Sequence, residues 1–362
     1  MRPHPKTPKS LKNVKLTAVD LFSGCGGLTT GLKRAGFGVL GAVDNDPISV
    51  ATYKANHPEV HIWRRDITRL SAPAAGRKLG LRPGRLDVLA GCPPCQAFSA
   101  LRTLNGGLVV RHKDKDLLFQ FLRFVKALKP KVVMVENVPG LAEDKRTVRF
   151  CAKLARMGYE SEFTVLDAAE YGVPQRRRRM ILLASRRNSV KLAAERRTRL
   201  TVRDAIEGLP EPGNSGDSIH DLPESRTKRM RDRIRNTPPD GGSRTAWPKR
   251  LRLRCHDECT GFKDVYGRMS WDDVAPTITT GCFNPSKGRF LHPVQDRAIT
   301  LREAALLQGF PKRYKFPNKA GKCAVAMMIG NALPPPFIAA HARSIRTVLT
   351  RPVNKSTGSG LR

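Results

Sequence analysis

The chain has 362 residues, enough for one large domain and a smaller one, and 40% are hydrophobic, so a buried core is available. No run approaches the roughly 18 apolar residues of a membrane span, and the basic, Pro-rich start MRPHPKTPKSLKNVK lacks the apolar segment of a secretory leader and reads as a flexible arm. Lys and Arg number 66 against 31 acidic residues, and a net charge of +35 exceeds what solubility asks and points to a polyanion, nucleic acid first. The 8 cysteines are scattered except for Cys92/Cys95 and Cys255/Cys259, which fits a reducing compartment better than a disulfide framework.

Along the chain, apolar runs alternate with helical segments as far as residue 184. Strands are predicted over 16–22 (LTAVDLF), 39–44 (VLGAVD), 60–63 (VHIW), 86–91 (LDVLAG), 132–137 (VVMVEN) and 179–185 (RMILLAS). Helices are predicted over 47–57 and 116–129. The second repeats apolar residues at helical spacing, and Asp46-Pro47 makes an N-cap followed by Pro at the first helical position. Strand–helix alternation of this kind predicts a doubly wound, mostly parallel α/β sheet. After residue 186 the periodicity fails. Residues 187–297 are rich in Arg, Pro and Gly, with a basic cluster at 226–235 and a short strand candidate at 275–280 (APTITT). Regularity returns with TLREAALLQGF (300–310) and a C-terminal helix from PPFIAAHARSIRTVL. The expected division is a basic arm (1–13), a catalytic domain (14–188 with 324–350), a smaller irregular domain (189–323) and a disordered tail (351–362).

Open α/β sheets bind ligands beyond the carboxyl ends of their strands. The first strand runs into DLFSGCGGLTTG. Its glycines let a backbone approach a ligand closely, but Thr29 breaks a dinucleotide fingerprint and no phosphate-loop Lys follows. Asp44 ends the second strand, where a carboxylate can take both ribose hydroxyls. Asp66 follows the third, placed to accept from an adenine amino group. Together they suggest an adenosine cofactor without a phosphate cradle, which S-adenosylmethionine satisfies. The fourth strand ends in GCPPCQAFS and the fifth at Glu136-Asn137, so a thiol and a carboxyl group meet beside the glycine loop. The basic run QRRRR (175–179) would favour a thiolate. The cysteine pair itself reads three ways: a redox couple, half of a metal site, or one nucleophile beside a bystander.

These residues, in this order over about 15–345, resemble the DNA (cytosine-5) methyltransferase family of prokaryotic type. FSGCGGL resembles its cofactor loop, PPCQAFS its nucleophile segment, ENV (136–138) its acid motif and QRRRR its Q-x-R-x-R motif. REAALLQGFP (302–311) and GNALPPP (330–336) resemble its two closing motifs. The resemblance implies a Rossmann-like S-adenosylmethionine-dependent sheet with a smaller target-recognition domain. Cys95 would add to C6 of a flipped cytosine, Glu136 would hold or protonate N3, Arg179 would bind O2, and Arg177 would brace the thiolate loop and a nearby phosphate. Cofactor contacts would fall on Phe22, Ser23, Gly24, Gly27, Asp44, Asp66, Ile67, Pro94, Asn331 and Leu333, with Leu118 carried over more weakly. Asn45 stands where relatives often place an aromatic against the adenine. The loop 96–112, hinged at Gly106-Gly107, would close over DNA, with Gln96, Ser99, Arg102, Arg111 and Lys113 as DNA contacts.

The implied partner is double-stranded DNA, in a monomeric enzyme of the bacterial cytoplasm and nucleoid, with a restriction endonuclease acting separately and no membrane. Cys92 is then the bystander. Two other functions share the signals. Some relatives with the same motifs methylate tRNA, though the recognition region here is not shortened. A zinc cytidine deaminase would use His57, Glu59, Cys92 and Cys95, but Gly91 replaces its usual proline. Cys255, His256 and Cys259 offer three zinc ligands without a clear fourth, so no metal is expected.

Overall fold

Seven strands form one sheet in the order β3-β2-β1-β4-β5-β7-β6. They are β1 (Thr17–Leu21), β2 (Gly38–Asp44), β3 (His61–Arg64), β4 (Val88–Gly91), β5 (Val132–Asn137), β6 (Glu160–Asp167) and β7 (Arg178–Ser185). The first five are mutually parallel, and β7 pairs antiparallel with both β5 and β6. The computed structural model describes residues 16–94, 116–187, 189–196, 198–254 and 264–351.

Parallel strands covered on both faces read as apolar runs because neither face meets water. Ala18, Ala42, Val88, Ala90, Val132 and Met134 face one core, which α1 (Gly27–Arg34) and α10 (Pro335–Thr350) cover with Leu28, Leu32, Phe337, Ile338, Ala342 and Ile345. The alternate residues Val19, Leu21, Val43, Leu89, Val133 and Val135 face the other. There α3 (Ala72–Lys78), α4 (Leu117–Leu128) and α5 (Lys145–Ala155) supply Ala75, Phe121, Phe124, Val125, Phe150 and Leu154. Helix α2 (Pro47–Asn56) starts as its sequence predicts, with Asp46 accepting from the Ser49 N–H at 2.7 Å and Pro47 at the first position.

β6 (ESEFTVLD) carries alternating exposure because it is the edge strand, and its polar half hid it among the loops. The strand candidate 275–280 is not one. Only Ala275 makes a bridge, to Gln175, and the rest of the segment is bound by side chains.

The second region contains α6 (Val202–Ile206), α7 (Lys228–Arg235) and α8 (Leu301–Leu307), and among its described residues there is no strand. Its core gathers Val202, Ile278, Phe290, Leu301, Leu307 and Phe316, and it takes in Cys25 from the sheet half and Val325, Ala326 and Ile329 from α9 (Lys322–Asn331). Where no ladder satisfies the backbone, buried arginines do. Arg268, 1% exposed, donates to the carbonyls of Ile234, Thr237, His292 and Gln295 and pairs with Asp296. Arg289 donates to Gly241, Gly242 and Arg268 carbonyls, and Arg233 to that of Leu251. The stretch Lys322–Thr350 is apolar and long enough to cross a membrane by composition, but it is the broken pair α9 and α10, mostly buried in the two cores.

Candidate active site

The parallel strands bring their carboxyl ends to one cleft of about 590 Å³. At one end lie Phe22, Ser23 and Gly24 from the turn after β1, Asp44 from the end of β2, and Asp66 and Ile67 beyond β3. At the other lie Cys92 and Pro94 after β4, Glu136 at the end of β5, and Arg177 and Arg179. Asn331, the last residue of α9, and Leu333, just before α10, complete the lining. Nine of the eleven cofactor candidates therefore share one cavity with Glu136 and both arginines.

The turn after β1 is held open by its backbone. Phe22 adopts φ +63° and Gly24 φ +52°, and a left-handed phenylalanine marks a site whose surroundings over-determine it. The Gly24 N–H donates to Asp44 Oδ2 at 2.8 Å, and nothing lies within 4 Å of the place a Gly24 Cβ would occupy. Asp44 Oδ1 accepts from the Asp46 N–H at 2.9 Å. Burial raises the Asp44 carboxyl, and the N–H bonds from Asp46 and Gly24 oppose it. Asp66 caps the turn that follows by accepting from the Thr68 N–H and hydroxyl.

Two cofactor candidates lie elsewhere. Gly27 is the second residue of contact rather than lining: a Cβ there would sit 2.3 Å from the Leu333 carbonyl oxygen, so its bareness lets the last motif press against the first. Leu118 is turned by the phase of α4 into the core under the sheet, and its neighbour Leu117 reaches the cleft instead.

Glu136 is 2% exposed. Its Oε1 lies 3.1 Å from Arg179 Nε, but without hydrogen-bond alignment, so Oε1 has no hydrogen-bond partner. Its Oε2 accepts from the Cys92 thiol at 2.9 Å. Burial pushes the Glu136 carboxyl above its usual range, and Arg179 is the largest opposing influence. A raised carboxyl is suited to holding a proton for a ring nitrogen. Cys92, read from the sequence as a bystander, has its thiol set against the acid by the strand end that carries it. Burial raises that thiol too, with the Glu136 charge second, so it remains a donor.

Arg177 lines the cleft with its guanidinium engaged inside the protein. It is 3% exposed and donates to the carbonyls of Ile278, Gly330 and Ala332, tying the second region and the end of α9 to the start of β7. Burial lowers it to about 9, so it stays charged near neutrality. Gln175 does similar work: it accepts from the Ile278 N–H at 2.8 Å and donates to the Leu307 carbonyl and to Gln308, which in turn donates to Ala332. The Q-x-R-x-R segment therefore supplies two staples, Gln175 and Arg177, and sets both Arg177 and Arg179 against the cleft. Asn137 was missed as a site residue. Its amide donates to the Pro93 carbonyl at 2.8 Å and fixes the segment before Cys95, and its place beside Glu136 in the ENV motif was the available signal.

Cys95, Gln96, Ser99, Arg102, Arg111 and Lys113 lie outside the described residues, as do the Gly106-Gly107 hinge and Cys255, His256 and Cys259. His57 and Cys92, which a zinc deaminase would bring to one metal, line different cavities. The His57 ring instead meets Lys33 Nζ at 3.2 Å and the Tyr314 hydroxyl at 3.2 Å. Among the described residues no group of three His, Cys, Asp or Glu side chains is placed to hold a metal ion.

Residues 16–347 match the family described as C-5 cytosine-specific DNA methylase. The chain is 38% identical over 348 residues to the type II methylase M.HgiDII of Herpetosiphon aurantiacus, covering 91% of this chain and 95% of that one. It is 32% identical to the type II methyltransferase M1.HphI of Haemophilus parahaemolyticus, over 92% of this chain and 87% of that one. Among solved structures, a prophage-encoded E. coli protein superposes with a TM-score of 0.71 at 23% identity, over 93% of this chain and all of that one, which speaks to the fold.

Proposed function

The chain belongs to the C-5 cytosine-specific DNA methylase family, and from that premise we propose how its residues divide the work. The protein is a DNA (cytosine-5-)-methyltransferase.

S-adenosylmethionine is the donor, and the cleft is the observation that carries this. The open turn at Gly24 leaves space for a ligand, Asp44 offers a carboxylate at the ribose position, and Asp66 and Ile67 wall the adenine end. No phosphate-binding loop stands there, in keeping with a donor that has none. When bound it supplies an electrophilic methyl group. The protein's part is to make cytosine C5 a nucleophile. The Cys95 thiolate adds to C6, and Glu136 gives N3 the hydrogen bond or proton that lets the ring accept those electrons. Arg179 steadies O2. After C5 has taken the methyl group, its proton leaves and Cys95 is expelled. The target must be flipped from the duplex first, at a cost of about a few kcal/mol. Arg177, Gln175 and Asn137 touch none of the reacting atoms in this reading and hold the parts that do.

Residues 14–188 with 324–350 form the catalytic unit, and 189–323 read the sequence, with DNA between them. The type II names of the relatives support a modification enzyme of a restriction–modification system, with the endonuclease acting separately.

The test is transfer of labelled methyl groups from S-adenosylmethionine to duplex DNA, with tRNA and Cys95→Ala alongside. Label at C5 of cytosine in DNA, absent with Cys95→Ala, is expected. Label retained by Cys95→Ala would overturn the nucleophile assignment, and label accepted by tRNA would reopen the substrate.

A further inference from the structure

We propose that Cys92 is a positioning residue for methyl transfer: by donating its thiol hydrogen to Glu136 Oε2, it reserves Oε1 as the oxygen that carries the proton and meets N3 of the cytosine. This rests on the reading of Glu136 as the group at N3.

Glu136 has two oxygens, and only one can serve the base. Oε2 accepts from the Cys92 Sγ at 2.9 Å, while Oε1, buried in a residue that lines the cleft, lies 3.1 Å from the Arg179 Nε but receives no hydrogen bond. A buried carboxyl oxygen with a charge nearby but no hydrogen bond keeps an acceptor site that an arriving group can fill. A proton on a carboxylic acid also avoids an oxygen that is already accepting. With Oε2 engaged, the acid proton belongs on Oε1. As C6 gains its bond, that proton moves toward N3, and it returns to Oε1 when the ring is released, so the carboxyl ends as it began.

The environment keeps the thiol fit for this task. Burial and the adjoining carboxyl both disfavour a Cys92 thiolate, so Cys92 remains a donor where a nucleophilic cysteine must be ionised. Its position is fixed from both sides. The Cys92 N–H donates to the Leu21 carbonyl at 3.3 Å, and the next residue, Pro93, is held through its carbonyl by Asn137. The two cysteines of the opening motif thus have opposite duties, one to give up its proton and the other to keep it.

Steady-state kinetics of Cys92→Ala, Cys92→Gly, Cys92→Ser and Glu136→Gln on duplex DNA test this. Both variants without a donor should lose roughly 10-fold in kcat, the worth of one hydrogen bond to a charged or reacting group, with KM for S-adenosylmethionine unchanged. Losing a donor to the carboxylate favours its protonated form, so the alkaline limb of their kcat/KM profile should move up by about half a pH unit. Cys92→Ser, which restores a donor, should recover kcat and the wild-type limb. Wild-type kcat and pH profile in the Ala and Gly variants would overturn the proposal. So would a Ser variant as impaired as Ala, because space rather than the hydrogen bond would then be at issue. Glu136→Gln separates the layers: full activity there sinks the role of Glu136 itself, whereas a large loss there beside a normal Cys92→Ala sinks only the role of Cys92.

Discussion

The sheet half and the second region satisfy the same backbone by different means. From β1 to β7, ladders and helices pair the peptide groups, and side chains are free to fill two apolar cores. In the second region, arginines reach into the interior and bind carbonyls that no strand meets, Arg268 alone serving four. The net charge of +35 therefore has two uses. Some of it is exposed at the surface, as at Lys228 and Arg229, and some is internal scaffolding that a charge count cannot tell apart. A region built this way can change its loops without breaking a ladder.

The sharpest way to break this contrast is to remove Arg268. Arg268→Ala leaves several buried carbonyls without their donor, each at a cost of about 1–3 kcal/mol, so the loss should be several kcal/mol, with the half-exposed Asp296 adding little. Because Cys25 and α9 share a core with the second region, calorimetry should show one transition at lower temperature. An early, separate transition would mean that the two regions fold independently.

Histidines in both halves tie stability to pH. Burial holds His57, His292 and His341 at about 4, below the ordinary 6.5 of an unfolded histidine. Each therefore gives stability that is complete above pH 6.5 and is lost as pH falls toward 4, because the unfolded chain binds the protons first. Asp20, which burial raises to about 7, works the other way across the same window, so the histidine share is read as a difference between variants. The melting temperature of His341→Gln should fall less, relative to wild type, between pH 6.5 and 4, and parallel curves would contradict a buried neutral His341.

Helix caps offer a smaller and paired comparison. Asp46→Ala removes a cap from α2 and should cost about 1 kcal/mol. Thr300→Ala removes the capping box of α8 and also deprives buried His220, whose Nδ1 lies 2.8 Å from the Thr300 hydroxyl, so about 2 kcal/mol is expected. Chemical denaturation would rank them, and equal costs would deny the second-region cap its extra task.

The smallest effect lies on the surface. Lys228 and Arg229 on α7 are exposed, unlike Arg233 in the same helix. If DNA meets this face, Lys228→Gln with Arg229→Gln should leave stability unchanged and reduce the slope of log affinity against log salt by about one per phosphate contact. An unchanged slope would assign the face to solvent.

Much of the sheet was legible because buried parallel strands have no polar face: VVMVEN lies where it was expected, at β5. β6 was missed for the opposite reason, as Glu160, Glu162 and Thr164 alternate out to water along its first half. The cleft was legible where its lining sits at a parallel strand's carboxyl end, as at Asp44 and Glu136. It was less so at β7, which runs the other way and brings its first residues, not its last, to the cleft. Arg177 was named for the right place, but its bonds to Ile278, Gly330 and Ala332 depend on segments about 100 to 155 residues away. The thiol–carboxyl contact of Cys92 and Glu136 spans 44 residues and two strand ends, and spacing alone carries no trace of it. The second region stayed opaque because side chains, not a repeating period, hold it.

The tight seat of Leu333 against Gly27 has a consequence for how the enzyme comes into being. The Cys25 thiol likewise donates to the Met328 carbonyl, 303 residues later in the chain. At roughly 5–20 residues per second, a ribosome needs about 15–60 s to travel between these partners. During that interval the nascent chain owns its glycine turn and its acid but not the wall that completes their cleft. A message cut short before α9 would therefore yield a protein without a finished donor site, and a cell making this enzyme is spared the activity of its fragments.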